Sequence, residues 1–143
     1  MPVTLTAWQV YKQGLEKGTV TFSLNTFQRL TKRTMPQDLS DKDKILNYLL
    51  GMNGETGELT DMMKKHFYHG HELDKDEARK ELGDMMHYLF GLIELFGFTA
   101  EEVATYNQDK LFKRYPKGFN EEDSKKRVDV YADDQIVKSY EYE

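Results

Sequence analysis

The sequence predicts an all-α protein built from helical hairpins, and three observations carry that prediction. Apolar residues recur at helical period in successive stretches, with polar or glycine and proline segments between them. Helix-start patterns stand in front of them, at Thr6-Ala-Trp-Gln9, Ser40-Asp-Lys-Asp43, Asp74-Lys-Asp-Glu77 and Thr99-Ala-Glu-Glu102. The two longest runs flank a polar segment, residues 68–75, which reads as the turn of an antiparallel helical hairpin.

In chain order, Ala7, Trp8, Val10, Tyr11 and Leu15 give a short amphipathic helix stopped at Gly18. A second helix is expected from Leu24 to about Thr34, carrying Leu24, Phe27 and Leu30 and ending before Pro36. The third runs from Ser40 through Ile45, Leu49, Met52, Leu59, Met62 and Met63 to Phe67. Gly51, Gly54 and Gly57 interrupt it, and each costs about 1 kcal/mol against alanine in a helix interior. A neighbouring helix or a ligand is therefore expected to come close there. The fourth helix opens at Asp74 and runs through Leu82, Met85, Leu89, Leu92 and Ile93 to Gly97. The fifth carries Val103, Tyr106 and Leu111 and must stop by Pro116. Beyond it, residues 128–140 read as a small hairpin, an arm on a second subunit, or a disordered tail.

With 143 residues the chain has room for one domain and a tail. It divides into an N-terminal helical extension (1–22), a central domain (23–119) and an acidic tail (120–143). No apolar run is long enough to span a bilayer and the first residues lack a signal-peptide pattern, so a soluble cytoplasmic protein with no membrane partner is expected. The absence of cysteine excludes disulfides and thiolate metal sites. Residues 121–143 carry eight acids against four bases, a net −4 of the chain's −5. Neither part has the basic surplus of a protein that holds polymeric nucleic acid, so any phosphate partner should be small.

Two acidic pairs, Glu55/Glu58 and Glu81/Asp84, lie inside the apolar runs of the hairpin. Residues three apart project from one helix face, so each pair makes a pincer. A reversal midway between Phe67 and Lys75 sets Glu58 level with Asp84 and His87 level with Glu55. In a chain that is 31% charged, any one such pair reads as a solvated helix face. Two facing pairs among glycines read as a site, because four carboxylates gathered on apolar helices repel one another unless a cation sits among them. Oxygen-only ligation favours a hard divalent ion, Mg²⁺ with Mn²⁺ as substitute.

Lys110, Lys113, Arg114 and Lys117 group at the end of the fifth helix, either as complements to the helix dipole or as phosphate ligands. Lys65 falls two turns beyond Glu58 and could reach a phosphate; Lys64 reads as solvated. His66, His69 and His71 sit in or beside the loop and read as exposed, whereas His87 is placed to hydrogen-bond a carboxylate. A di-iron bundle would need Glu-x-x-His twice, a spacing the chain lacks, and there is no P-loop.

Gly54-Glu-Thr-Gly-Glu58-Leu, Lys64-Lys65, Glu81-Leu-Gly-Asp84-Met-Met-His-Tyr88 and Asn107-x-x-Lys110-Leu-x-x-Arg114-Tyr-Pro-x-Gly-Phe119 together resemble the MazG-like branch of the all-α nucleoside triphosphate pyrophosphohydrolases, over about residues 24–119. The resemblance implies a four-helix core, assembled as a homodimer or a homotetramer (a dimer of dimers). It implies Mg²⁺-dependent cleavage of a nucleoside triphosphate to the monophosphate and pyrophosphate, as in nucleotide-pool house-cleaning. Carried over by residue, Glu55, Glu58, Glu81 and Asp84 hold metal, Lys110 and Arg114 hold phosphates, and Asn107 contacts sugar or phosphate. Tyr88 lines the nucleotide pocket, Phe27 and Gln28 fall where the base pocket is built, and Glu58 is the expected acceptor of the water's proton. His87 departs from a position that is often aromatic. The rival readings are a narrow dUTP- or dCTP-specific hydrolase and a non-catalytic helical interaction module.

Overall fold

The computed structural model describes residues 6–127. They form α1 (Ala7–Glu16), α2 (Leu24–Thr31), a 3-10 turn (Lys32–Thr34), α3 (Asp41–His69), α4 (Lys75–Leu95), α5 (Ala100–Arg114) and α6 (Glu121–Lys126), with no β-strand among them. The fold is all-α. No helix among the described residues is long and apolar enough to cross a membrane. Among the described residues, those up to Ala100 form one compact unit and those from Glu101 onward form a second.

The helix starts follow from side-chain capping. Thr6 and Gln9 make a reciprocal capping box on α1, the Ser40 hydroxyl accepts from Asp43 N, and the Asp74 carboxylate accepts from the N–H groups of Asp76 and Glu77. The ends differ from the sequence expectation in two places. Residues 32–34 tighten from α into 3-10 ahead of Pro36. Tyr68 and His69, expected in the loop, complete the last turn of α3, which ends at Gly70 in the left-handed region (φ 73°).

After Gly70 the chain folds back over that last turn. His71 N donates to Lys65 O at 3.2 Å, and His66 Nδ1 lies 2.9 Å from His71 O. The loop histidines thus clasp the helix end. Because the chain doubles back before α4 begins, α4 starts lower against α3 than a tip-to-tip reversal would place it. Tyr48 consequently lies against Gly91, and Gly51 against Tyr88. The register is displaced from the expected one by about three residues, close to one helical turn. The close approach expected of the α3 glycines is met at Gly51, where a Cβ would strike the Tyr88 ring; Gly54 and Gly57 have open space beside them.

The core of the first unit is small: Phe90, Ile93 and Ala100 are buried together, with Phe27 of α2 packed edge-on against Phe90 at 4.9 Å. Gln28 ties α2 to the turn after α4. Its amide nitrogen donates to Glu94 Oε2 (2.8 Å) and Phe98 O (2.9 Å), while its oxygen accepts from Ala100 N (2.6 Å). This buried polar side chain is satisfied at both ends. Glu94 is held below the usual carboxylate range by Lys32, against the effect of burial, with Gln28 adding to it. The N-terminal extension adds a run of rings, Trp8, Tyr11 and Phe22, the last of which meets Phe27.

In the second unit the Arg114 guanidinium lies 5.8 Å from the centre of the Tyr115 ring, and Gly118 (φ 91°) closes the turn that follows. The acidic segment begins with a helix the sequence reading did not anticipate. Asn120 Oδ1 accepts from Asp123 N at 2.8 Å and its Nδ2 donates back to the Asp123 carboxylate, a capping pattern that Asn120-Glu-Glu-Asp123 advertises. The hairpin or arm expected over 128–140 lies outside the described residues.

Candidate active site

Both acidic pairs fall on the hairpin, Glu55 and Glu58 on α3 and Glu81 and Asp84 on α4. Three of the four converge. Glu55, Glu81 and Asp84 each bring one carboxylate oxygen within 4.8 Å of the others. The turn of register described above makes Glu55, not Glu58, the α3 residue level with Asp84. Glu58 stands one turn further along, exposed, and its charge still reaches Glu55.

The triangle is electrostatically loaded. Glu81 is 2% exposed, and its Oε2 has no hydrogen-bond partner. Burial works against charge on Glu81, but hydrogen bonds from Glu55 and Lys80 outweigh it and hold the group below its ordinary range. Glu55 is pushed up, chiefly by the hydrogen bond it shares with Glu81, then by burial and by the charges of Asp84 and Glu58. The repulsion among the three carboxylates falls on Glu55, which holds its proton more readily than an ordinary glutamate.

A cleft of about 450 Å³ opens beside the triangle, lined by Gly54, Gly57, Glu58, Met62, Lys65 and Glu81, with Asp61 and Glu77 at its sides. The two glycines keep it open, since a Cβ on either would project into free space. Lys65 donates to Asp61 at 2.6 Å, and Lys64 donates to the other oxygen at 2.7 Å. These bonds, Lys64 first, pull Asp61 down to about 2. What the exposed pairs add to stability is present above the ordinary aspartate value and lost as pH falls through about 2, and solvent screening keeps it small.

The residues present fit a hard divalent cation. An orphaned buried carboxylate oxygen, two further carboxylates within reach and the absence of any sulfur or imidazole donor in the group match oxygen ligation. The profile of the MazG nucleotide pyrophosphohydrolase domain matches residues 43–119, more than half of the chain. The chain belongs to the MazG family. No curated protein and no solved structure matches it.

The MazG match contains all four acids and the cleft, while α1 and α2 lie outside it. Within the MazG segment, Tyr88 is half-buried over Gly51, its ring 5.5 Å from those of Tyr48 and His87. His87, expected to reach a carboxylate level with Glu55, instead has its ring tilted against that of Tyr48, 5.8 Å away. Asn107, Lys110 and Arg114 follow one another on α5 in the second unit, with Asn107 and Lys110 exposed. Outside the match, Phe27 and Gln28 are engaged in the α2–α4 joint, so an influence of Gln28 on a nucleotide would act through that joint. Sequence reasoning passed over two cleft residues, Asp61 and Glu77, and Lys80, which bonds to Glu77 and Glu81. Each stands at an i,i+3 or i,i+4 distance from an oppositely charged neighbour, a signal too common on helix surfaces to single out a site.

Proposed function

We propose that the chain is a Mg²⁺-dependent nucleoside triphosphate pyrophosphohydrolase that releases the monophosphate and pyrophosphate in nucleotide-pool house-cleaning. The observation that carries this reading is Glu81, a carboxylate buried to 2% exposure with one oxygen unpartnered, set beside Glu55 and Asp84 in a MazG domain. When bound, Mg²⁺, or Mn²⁺ in its place, supplies Lewis-acid activation of the attacking water and charge stabilisation of the leaving pyrophosphate. Glu55, Glu81 and Asp84 would hold the cation, and Glu58, which lines the cleft, completes the acidic set. Water oxygen bonds to phosphorus, the anhydride bond to pyrophosphate breaks, and the Glu58 carboxylate takes the water's proton. Lys65 exchanges its bond to Asp61 for a phosphate oxygen. Lys110, Arg114 and Asn107 are carried as phosphate and sugar ligands on the strength of their motif, and Tyr88 as a wall of the nucleotide pocket.

A panel of ribo- and deoxyribonucleoside triphosphates assayed for pyrophosphate with and without Mg²⁺ tests the reading. E58Q and D84N should each lower turnover by about a hundredfold or more while leaving the helical circular-dichroism signal unchanged. Near-normal turnover in both variants overturns the roles assigned. Release of pyrophosphate from no triphosphate moves the chain to the non-catalytic reading.

The chain acts as a homodimer or a dimer of dimers in this proposal. Leu46 and Leu50 of α3 and Leu82, Met86 and Leu89 of α4 are between 43% and 71% exposed, far more apolar helix face than this small core covers. Sedimentation of the full chain should give twice the monomer mass or more, and a monomer at micromolar concentration rejects it.

A further inference from the structure

We propose that Lys80 is a positioning residue for the cation site: it pins one oxygen of Glu81 so that the other stays free for the metal, and Glu77 anchors it. The proposal rests on the cation reading above. Lys80 Nζ donates to Glu81 Oε1 at 3.3 Å and to Glu77 Oε1 at 2.8 Å. Its side chain is 60% exposed and that of Glu77 46%, so the ammonium reaches a carboxylate that is itself 2% exposed from the solvent side. Glu81 Oε2 is the only buried side-chain polar atom without a partner among the described residues. A carboxylate free to rotate about its last bond would offer Lys80 either oxygen. Fixing Lys80 on Glu77 removes that freedom and leaves Oε2 unpaired at the edge of the triangle. The tighter bond of the pair runs to Glu77, which makes Glu77 the anchor and Glu81 the group being steered.

The sign of the effect separates steering from a mere nearby charge. An ammonium beside a cation site repels the cation, so if Lys80 acts only through its charge, its removal tightens metal binding. If it orients Glu81, its removal loosens binding, as loss of a partner that orients a ligand typically does. Titration calorimetry of the full chain with Mn²⁺ alone decides between them, with thermal melts confirming that each variant is folded. K80M should weaken Mn²⁺ binding by about tenfold, E77Q should weaken it less, and K80R should restore most of the affinity. K80M binding as tightly as the wild type, or more tightly, overturns the proposal while leaving the cation site standing. A wild-type chain that takes up no Mn²⁺ overturns both.

Discussion

Replacing Glu81 by glutamine should abolish pyrophosphate release and leave the cation-free protein at least as heat-stable as the wild type. In the bare fold Glu81 is almost completely buried, one oxygen has no partner, and its carboxylate stands with those of Glu55 and Asp84 within 4.8 Å. An amide of the same shape removes the charge. Its NH₂ can donate to a neighbouring carboxylate, and its oxygen can still accept from Lys80. Replacing a buried charge by a neutral isostere is often neutral or stabilising for this reason. The cation loses both a charged ligand and the oxygen best placed for it, so turnover should fall by about a hundredfold or more. Melting curves in EDTA and in excess Mg²⁺ make the contrast: the wild type should gain stability on adding the ion, by mass action, and E81Q should not. An E81Q chain that keeps its Mg²⁺-dependent shift removes Glu81 from the site.

The second large effect concerns stability alone. Gly91 to alanine should destabilise the fold by about 1–3 kcal/mol, even though alanine is the better helix former by about 1 kcal/mol. A Cβ on Gly91 would collide with the Cε1–Cδ1 edge of the Tyr48 ring. Tyr48 is 2% exposed and packs edge-on against Tyr88, so it cannot swing aside without opening the seam between α3 and α4. G54A and G57A are the controls, because nothing lies within 4 Å of the added methyl at either position. Urea unfolding should place both at or above the wild type and G91A well below it. A G91A midpoint equal to the wild type would show that the seam yields, and the tight packing inferred here would be wrong.

These two residues also show how far the sequence could be read. Helix starts were legible at Thr6, Ser40 and Asp74 because a capping side chain and its target are neighbours in sequence. The acidic pairs were legible from spacing alone. The level at which α3 meets α4 was not. It turns on His71 folding back onto Lys65 and His66, a hydrogen-bonding choice made in a loop that advertises only that it is a loop. That choice exchanged Glu58 for Glu55 opposite Asp84 and took His87 away from the carboxylates. Gly54 and Gly57 could be seen to need a reason, yet only the structure shows that the reason is an open cleft and not a packed neighbour.

By itself, then, the order of residues carried the all-α class and the two acidic pairs, written in spacings of three and four along each helix, and its motifs carried the resemblance to the family. Tertiary structure alone decided which three acids meet and that one of them is buried with an oxygen to spare. Those outcomes depend on the relative height and rotation of two helices, and a shift of one turn in either exchanges every partner across the seam.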